Sequence, residues 1–241
     1  MNQESCTVVP MSVPPGIGTE MGKPGHVSVR DGCEGMANPG DLKTPPGMGP
    51  RHGIFYTARG KNSPEADYYF LVGELSNDIV AYECIYHRSQ TLQSDSFTYD
   101  WLELQLRQII SIYSKMGKVP AKAKAAEISI SYATNTLYVS NRGDVTFQAP
   151  ASDSISTFGI NPQKGENVLS PKDMYPCGGR GPKHFDLSTG ILGQVEEEFV
   201  TVACQGSAEV VVWRVKGWEE VARIKAGADG IGEGPAWVGW L

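Results

Sequence analysis

Two short strings set a cation beside an imidazole after a Gly-Pro turn: GMGPRH, ending on Arg51 and His52, and GRGPKH, ending on Lys183 and His184. Glu74, Arg142 and Gln205 close three further strings, YYFLVGE, TLYVSNR and EFVTVACQ. Together these groups suit a small acidic substrate. The planar forks of Arg51 and Arg142 meet a carboxylate or phosphate at two points, which a lysine cannot reproduce. Glu74 can serve as general acid or base, and His52 can move protons near neutral pH. Arg51, His52, Glu74 and Arg142 are therefore the catalytic candidates, with Lys183, His184 and Gln205 as substrate-binding candidates. Each has a plainer alternative. Arg51 can hydrogen-bond carbonyls of an adjoining repeat, or blade, Glu74 can be a solvated strand end, and His52 and His184 can bond to the turns they follow. His87 reads as a surface residue.

Positioning these side chains falls to short strands. The strings 47–56, 123–131 and 179–188 read as first strands, and a fourth such string, GEGPAWVGWL, ends the chain at Leu241. Second strands follow at 68–75, 136–143 and 198–206. Third strands (NDIVAYECIY, DSISTFGINP, AEVVVWRVKG) alternate apolar with polar residues in the β period. Fourth strands fit WLELQLRQIISIY, NVLSPKDMY and WEEVARIKA. In the first of these a helical face of Leu102, Leu106, Ile109 and Ile110 competes, but Leu102, Leu104 and Leu106 alternate and the repeat calls for a strand. Successive anchors at His52, Glu127, His184 and Trp237 lie 75, 57 and 53 residues apart. Four strands repeated at roughly this period define an all-β partial β-propeller. Its blades fall at about 47–120, 121–177 and 178–231, with a closing strand at 235–241. Residues 1–46, dense in Gly and Pro, read as an irregular segment.

The chain-wide balance narrows the function classes. Twenty-one Lys+Arg against 27 Asp+Glu give a net charge of -6, without the basic block that nucleic acid or an anionic membrane requires. No apolar run has transmembrane length, and MNQESCTVVPMSVPPG lacks the basic and apolar regions of a secretory leader. Five cysteines without a CxxC pair read as reduced thiols in a cytoplasmic protein. GGRGPKH lacks the Lys-Ser/Thr ending of a phosphate loop and precedes a strand; no HExxH or zinc spacing occurs, and no WD dipeptide. The expectation is no cofactor and no metal.

The phrases GPRH, VGELSNDIVAYE, YVSNRG with DSISTFGI, and GPKHF with VACQGSAEVVVWRV resemble the lactonase-type seven-bladed β-propellers over about residues 45–241. That family includes 6-phosphogluconolactonases and the fungal 3-carboxy-cis,cis-muconate cyclase. The long first-repeat insertion and the GPAWVGWL ending look more like the fungal branch. The resemblance implies a lactone-forming cyclase in which Arg51, Glu74 and Arg142 match the family's arginine, glutamate and arginine. A small carboxylate or lactone would be the partner. Departures are Gly73 and Cys204, which replace the Asn kept as Asn141, and Lys183, which replaces Arg. The family's histidine from an earlier blade has no counterpart beyond His26. The alternatives are a lactone hydrolase of the 6-phosphogluconolactonase type, or a non-catalytic truncated propeller or binding module. Three blades against seven imply an N-terminally truncated ring, with self-association through unpaired blade edges as a consequence.

Overall fold

A computed structural model describes residues 8–10, 26–31, 42–59, 65–90, 97–188, 199–226 and 234–240. Strands dominate, and three sheets carry the fold. The first joins β4 (Pro50–Tyr56), β5 (Tyr68–Gly73), β6 (Asp78–Gln90) and β7 (Phe97–Ser111) in sequence order. The second holds β8 (Lys124–Ser131), β9 (Thr136–Arg142), β12 (Ser154–Ile160) and β13 (Leu169–Pro176), with the small hairpin β10 (Phe147–Gln148) and β11 (Ala151–Ser152) inserted between β9 and β12. The third is β14 (Pro182–Leu187), β15 (Phe199–Cys204), β16 (Glu209–Arg214) and β17 (Glu219–Lys225). All three are antiparallel meanders of four strands, the blade unit of a propeller, and 101–111 is strand, not helix.

Two of the expected segments differ. Within 1–46, three short strands form a sheet: β1 (Val8–Pro10), β2 (His26–Asp31) and β3 (Leu42–Thr44), with β2 and β3 parallel. These strands are three to six residues long. At the other end, residues 234–240 form no strand, and Leu241 lies outside the described residues. This segment is instead pinned to β14 by side chains. The Trp240 backbone N–H donates to Asp186 Oδ2 at 3.2 Å, and its indole N–H donates to the Asp186 carbonyl at 3.1 Å.

The chain divides into two compact units, Met1–Ile109 with Pro162–Val168 and Ile110–Asn161 with Leu169–Leu241. In the first, β5 is buried along its whole length, and Tyr69, Leu71, Val80 and Tyr82 form a core that also takes in Met48. Gly53 permits this packing, since a Cβ there would overlap the Tyr69 hydroxyl. In the second unit Tyr138, Ile155, Phe185, Val200, Val211 and Trp213 fill the space between the second and third sheets. Two indole N–H groups close that core, Trp213 to the Cys177 carbonyl at 3.1 Å and Trp218 to the Pro176 carbonyl at 2.8 Å. Buried tryptophans need such partners for their single donor. Cys84, Cys177 and Cys204 are free and buried. Cys177 and Cys204, 27 positions apart in the chain, approach to 3.8 Å between sulfurs. Cys6 and Cys33 lie outside the described residues.

Candidate functional site

The Gly-x-Gly-Pro turns set the direction of everything that follows them. Gly49 and Gly181, each just before the proline, adopt φ of 60° and 64°, a region where side chains are disfavoured. Proline then starts the strand, and in both strands the register skips one residue. Pro50 pairs with Gly73 and His52 with Val72; Pro182 pairs with Cys204 and His184 with Ala203. Arg51 and Lys183 are thus the extra residues of β-bulges, which bend a strand and re-aim its side chains. Each turn is also tied to the end of the second strand: the backbone N–H of Glu74 donates to the Gly49 carbonyl at 2.8 Å, and that of Gln205 to the Gly181 carbonyl at 2.9 Å.

In the first unit this construction brings Arg51 and Glu74 together, with Arg51 Nη1 donating to Glu74 Oε2 at 2.7 Å. Their side chains are 18% and 25% exposed, dry enough to strengthen the pair yet open to a small molecule. Arg51 Nε is buried and has no hydrogen-bond partner among the described residues. His52, half-buried, is the next residue of β4.

In the second unit, His184 Nε2 lies 3.6 Å from Glu127 Oε2, beyond hydrogen-bond range, and its ring centroid is 5.6 Å from that of Trp237. Glu127 is 8% exposed and is held by its backbone N–H to Ser140 Oγ at 3.0 Å; Ser140 in turn donates to the Pro182 carbonyl at 3.0 Å. Arg142 ends β9 opposite Lys124, half-buried. Lys183 is half-buried in its bulge, and Gln205 opens a single 3-10 turn, Gln205–Ser207. Glu127 and Trp237 were not among the site candidates. The available signal was their shared repeat position with His52 and His184, which puts all four on the first strand or its equivalent. Among the described residues no cluster of three His, Cys, Asp or Glu side chains could hold a metal ion.

Burial lowers the His184 pKa below its ordinary 6.5, while Asp186 and the Val238 backbone act the other way. His184 is therefore neutral at pH 7, and the unfolded chain binds the proton more readily. The sign follows: His184 contributes stability above pH 6.5 that is lost as the pH falls through its folded-state pKa. His184→Gln should flatten the decline of Tm below pH 6.5, read from thermal melts in small pH steps. An unchanged slope would show that His184 does not titrate in this way.

Successive four-stranded antiparallel meanders are the blades of a β-propeller. A family model described as "Lactonase, 7-bladed beta-propeller" matches residues 29–225, and the chain belongs to that family. The chain is 30% identical over 173 residues to a 6-phosphogluconolactonase of Formosa agariphila, covering 72% of this chain and 38% of that protein. It is 32% identical over 145 residues to a protein of Arthroderma benhamiae named "Probable 6-phosphogluconolactonase", covering 60% and 31%. The structure superimposes on the periplasmic gluconolactonase of Pseudomonas aeruginosa with a TM-score of 0.54 at 23% identity, over 80% of this chain and 43% of that one. The chain thus spans about a third of the length of these curated relatives and under half of the solved structure. Their names carry lactone hydrolysis and do not support the muconate cyclase implied by the sequence phrases.

Proposed function

We propose that the protein hydrolyses a sugar-acid lactone, with 6-phosphogluconolactone as the first substrate to test. The observation that carries this reading is the half-buried Arg51–Glu74 pair. Water attack on a lactone carbonyl places negative charge on the carbonyl oxygen, and a fixed guanidinium stabilises that charge as it forms. The carboxylate of Glu74 accepts the proton of the attacking water and returns it to the ring oxygen as the C–O bond breaks, so that one water is consumed and one hydroxy acid released. The relatives' names support hydrolysis over the cyclase reading.

The test is proton release at constant pH with purified protein and either 6-phosphogluconolactone or glucono-δ-lactone, corrected for spontaneous opening. The expected result is hydrolysis above background with at least one lactone, alongside no loss of ultraviolet absorbance from carboxymuconate. Consumption of carboxymuconate without lactone opening would reverse the choice between hydrolase and cyclase. Inertness toward all three would favour a binding module.

A further inference from the structure

The outer strand of the first sheet differs from its two counterparts. β13 carries Pro171 and Pro176, which remove donors from its edge, and β17 is exposed throughout and rich in charge (Glu219, Glu220, Arg223, Lys225). Both devices keep an open sheet edge from pairing with another chain. β7 has no proline, and its charges, Asp100, Glu103 and Arg107, are spread among apolar residues. It runs for 15 residues without proline, and no described strand pairs with its outer edge. Leu102 and Leu104 pack toward the core, whereas Leu106 and Ile109 are 51% and 49% exposed.

The charges on β7 are arranged with a symmetry of their own. Within the sheet, Arg107 Nε donates to Glu83 Oε2 at 2.6 Å, and His87 Nε2 lies 2.9 Å from Glu103 Oε2. These two cross-strand contacts share one antiparallel register. Glu103 and Arg107 each lie two residues from Gln105, on the same face of the strand. A second β7 laid antiparallel with Gln105 opposite Gln105 would place Glu103 against Arg107 at both ends. On the other face it would set Leu104 against Leu106. Opposite charges and apolar pairs facing each other are what stabilise adjacent strands.

We propose that β7 is the pairing edge of a two-fold homodimer, in which two copies of the first sheet join into one continuous sheet. The edge main chain supplies the hydrogen bonds, and the row Glu83–Arg107–Glu103–His87, the last two from the second copy, supplies register. Only one edge per chain is used, so association closes at the dimer. A contact through one strand edge is expected to be small and weak, dissociating at about micromolar concentration.

Size-exclusion chromatography with light scattering, across tens of micromolar protein, tests this. The wild type should shift from monomer to dimer with concentration. E103R presents two arginines and R107E two glutamates to their own copies, so each alone should be monomeric. Mixed in equal amounts, the two variants face each other with opposite charge and should recover the dimer. Leu106→Lys leaves both cross-strand contacts within the chain intact and should weaken dimerisation about tenfold or more. Circular dichroism checks that each variant is folded. A monomeric wild type, a dimer that survives both charge reversals, failure of the mixture to associate, or growth beyond dimers would each overturn the proposal.

Discussion

Arg51→Ala is expected to lower kcat/KM for lactone opening by about 10²–10³-fold, mainly through kcat, the scale seen when one preorganised oxyanion donor is lost. Two effects combine. The charge that meets the developing oxyanion disappears, and Glu74 loses the partner 2.7 Å away that fixes its carboxylate. Arg51→Lys should recover little, because a compact ammonium does not reproduce the planar fork that can hold Glu74 and face a second oxygen at once. Glu74→Gln separates the two roles: it keeps an oxygen for Arg51 but removes the base, so kcat should fall while KM changes little. Steady-state kinetics of the three variants, with Tm measured alongside, decide the matter. If Arg51→Ala retains more than half of the wild-type kcat/KM, the pair is structural and the chemistry lies elsewhere.

The largest expected loss of stability comes from Asp153, a residue outside the candidate site. It is 1% exposed, and its carboxylate accepts three backbone N–H groups: Gly143 at 3.0 Å, Val145 at 2.8 Å and Gly181 at 2.7 Å. It thus ties the turn after β9 to the Gly-Pro turn that launches β14. Asp153→Ala leaves these donors without their acceptor, at about 1–3 kcal/mol each, and roughly 3–5 kcal/mol in total once partial relaxation and water entry are allowed for. For a chain of this length, Tm should drop by about 10 °C. Asp153→Asn keeps one oxygen and should lose roughly half as much. Asp173→Ala, which removes only exposed contacts to Lys115 and to the Tyr175 hydroxyl, should stay within about 0.5 kcal/mol. Urea and thermal unfolding measure all three. Equal Tm values for Asp153→Ala and Asp173→Ala would refute the assignment of Asp153 as a clamp between turns.

Neighbouring Asp144 belongs to the same polar centre. It accepts from Thr146 Oγ1 at 2.8 Å and from Tyr113 at 3.1 Å, and also from Ser154. Burial pushes its carboxyl above the usual range, while the Ser154 and Thr146 hydroxyls pull it back. Nothing in the strings around it, NRGDVTF and APASDSIS, distinguishes these aspartates from ordinary turn residues. Their importance comes from what the fold places above them.

The twelve strands of the three sheets were legible because alternation and Gly-Pro turns act over a few residues. The 101–111 stretch was decided the same way, by Leu102, Leu104 and Leu106 falling on one face of a strand. Arg51 and Glu74 were legible as candidates through their repeat positions. The strands within 1–46 leave little local signal because they are short, and β2 pairs with β3 in parallel, without a hairpin turn. The Gly-Pro string of the terminal segment predicts a strand, but Trp240 anchors it through Asp186, a residue 54 positions away.

By itself, the sequence determined the meander, the turns and the positions of the bulged cations, all consequences of local backbone sterics and two-residue periodicity. Tertiary structure alone decided which charges meet. Arg51 reaches Glu74 across 23 residues, His184 faces Glu127 across 57, and Asp153 holds Gly181 across 28. Such partnerships depend on how the strands and sheets are brought side by side, and that placement follows from burying Tyr69, Phe185 and Trp213, not from any local signal in the residues that end up in contact.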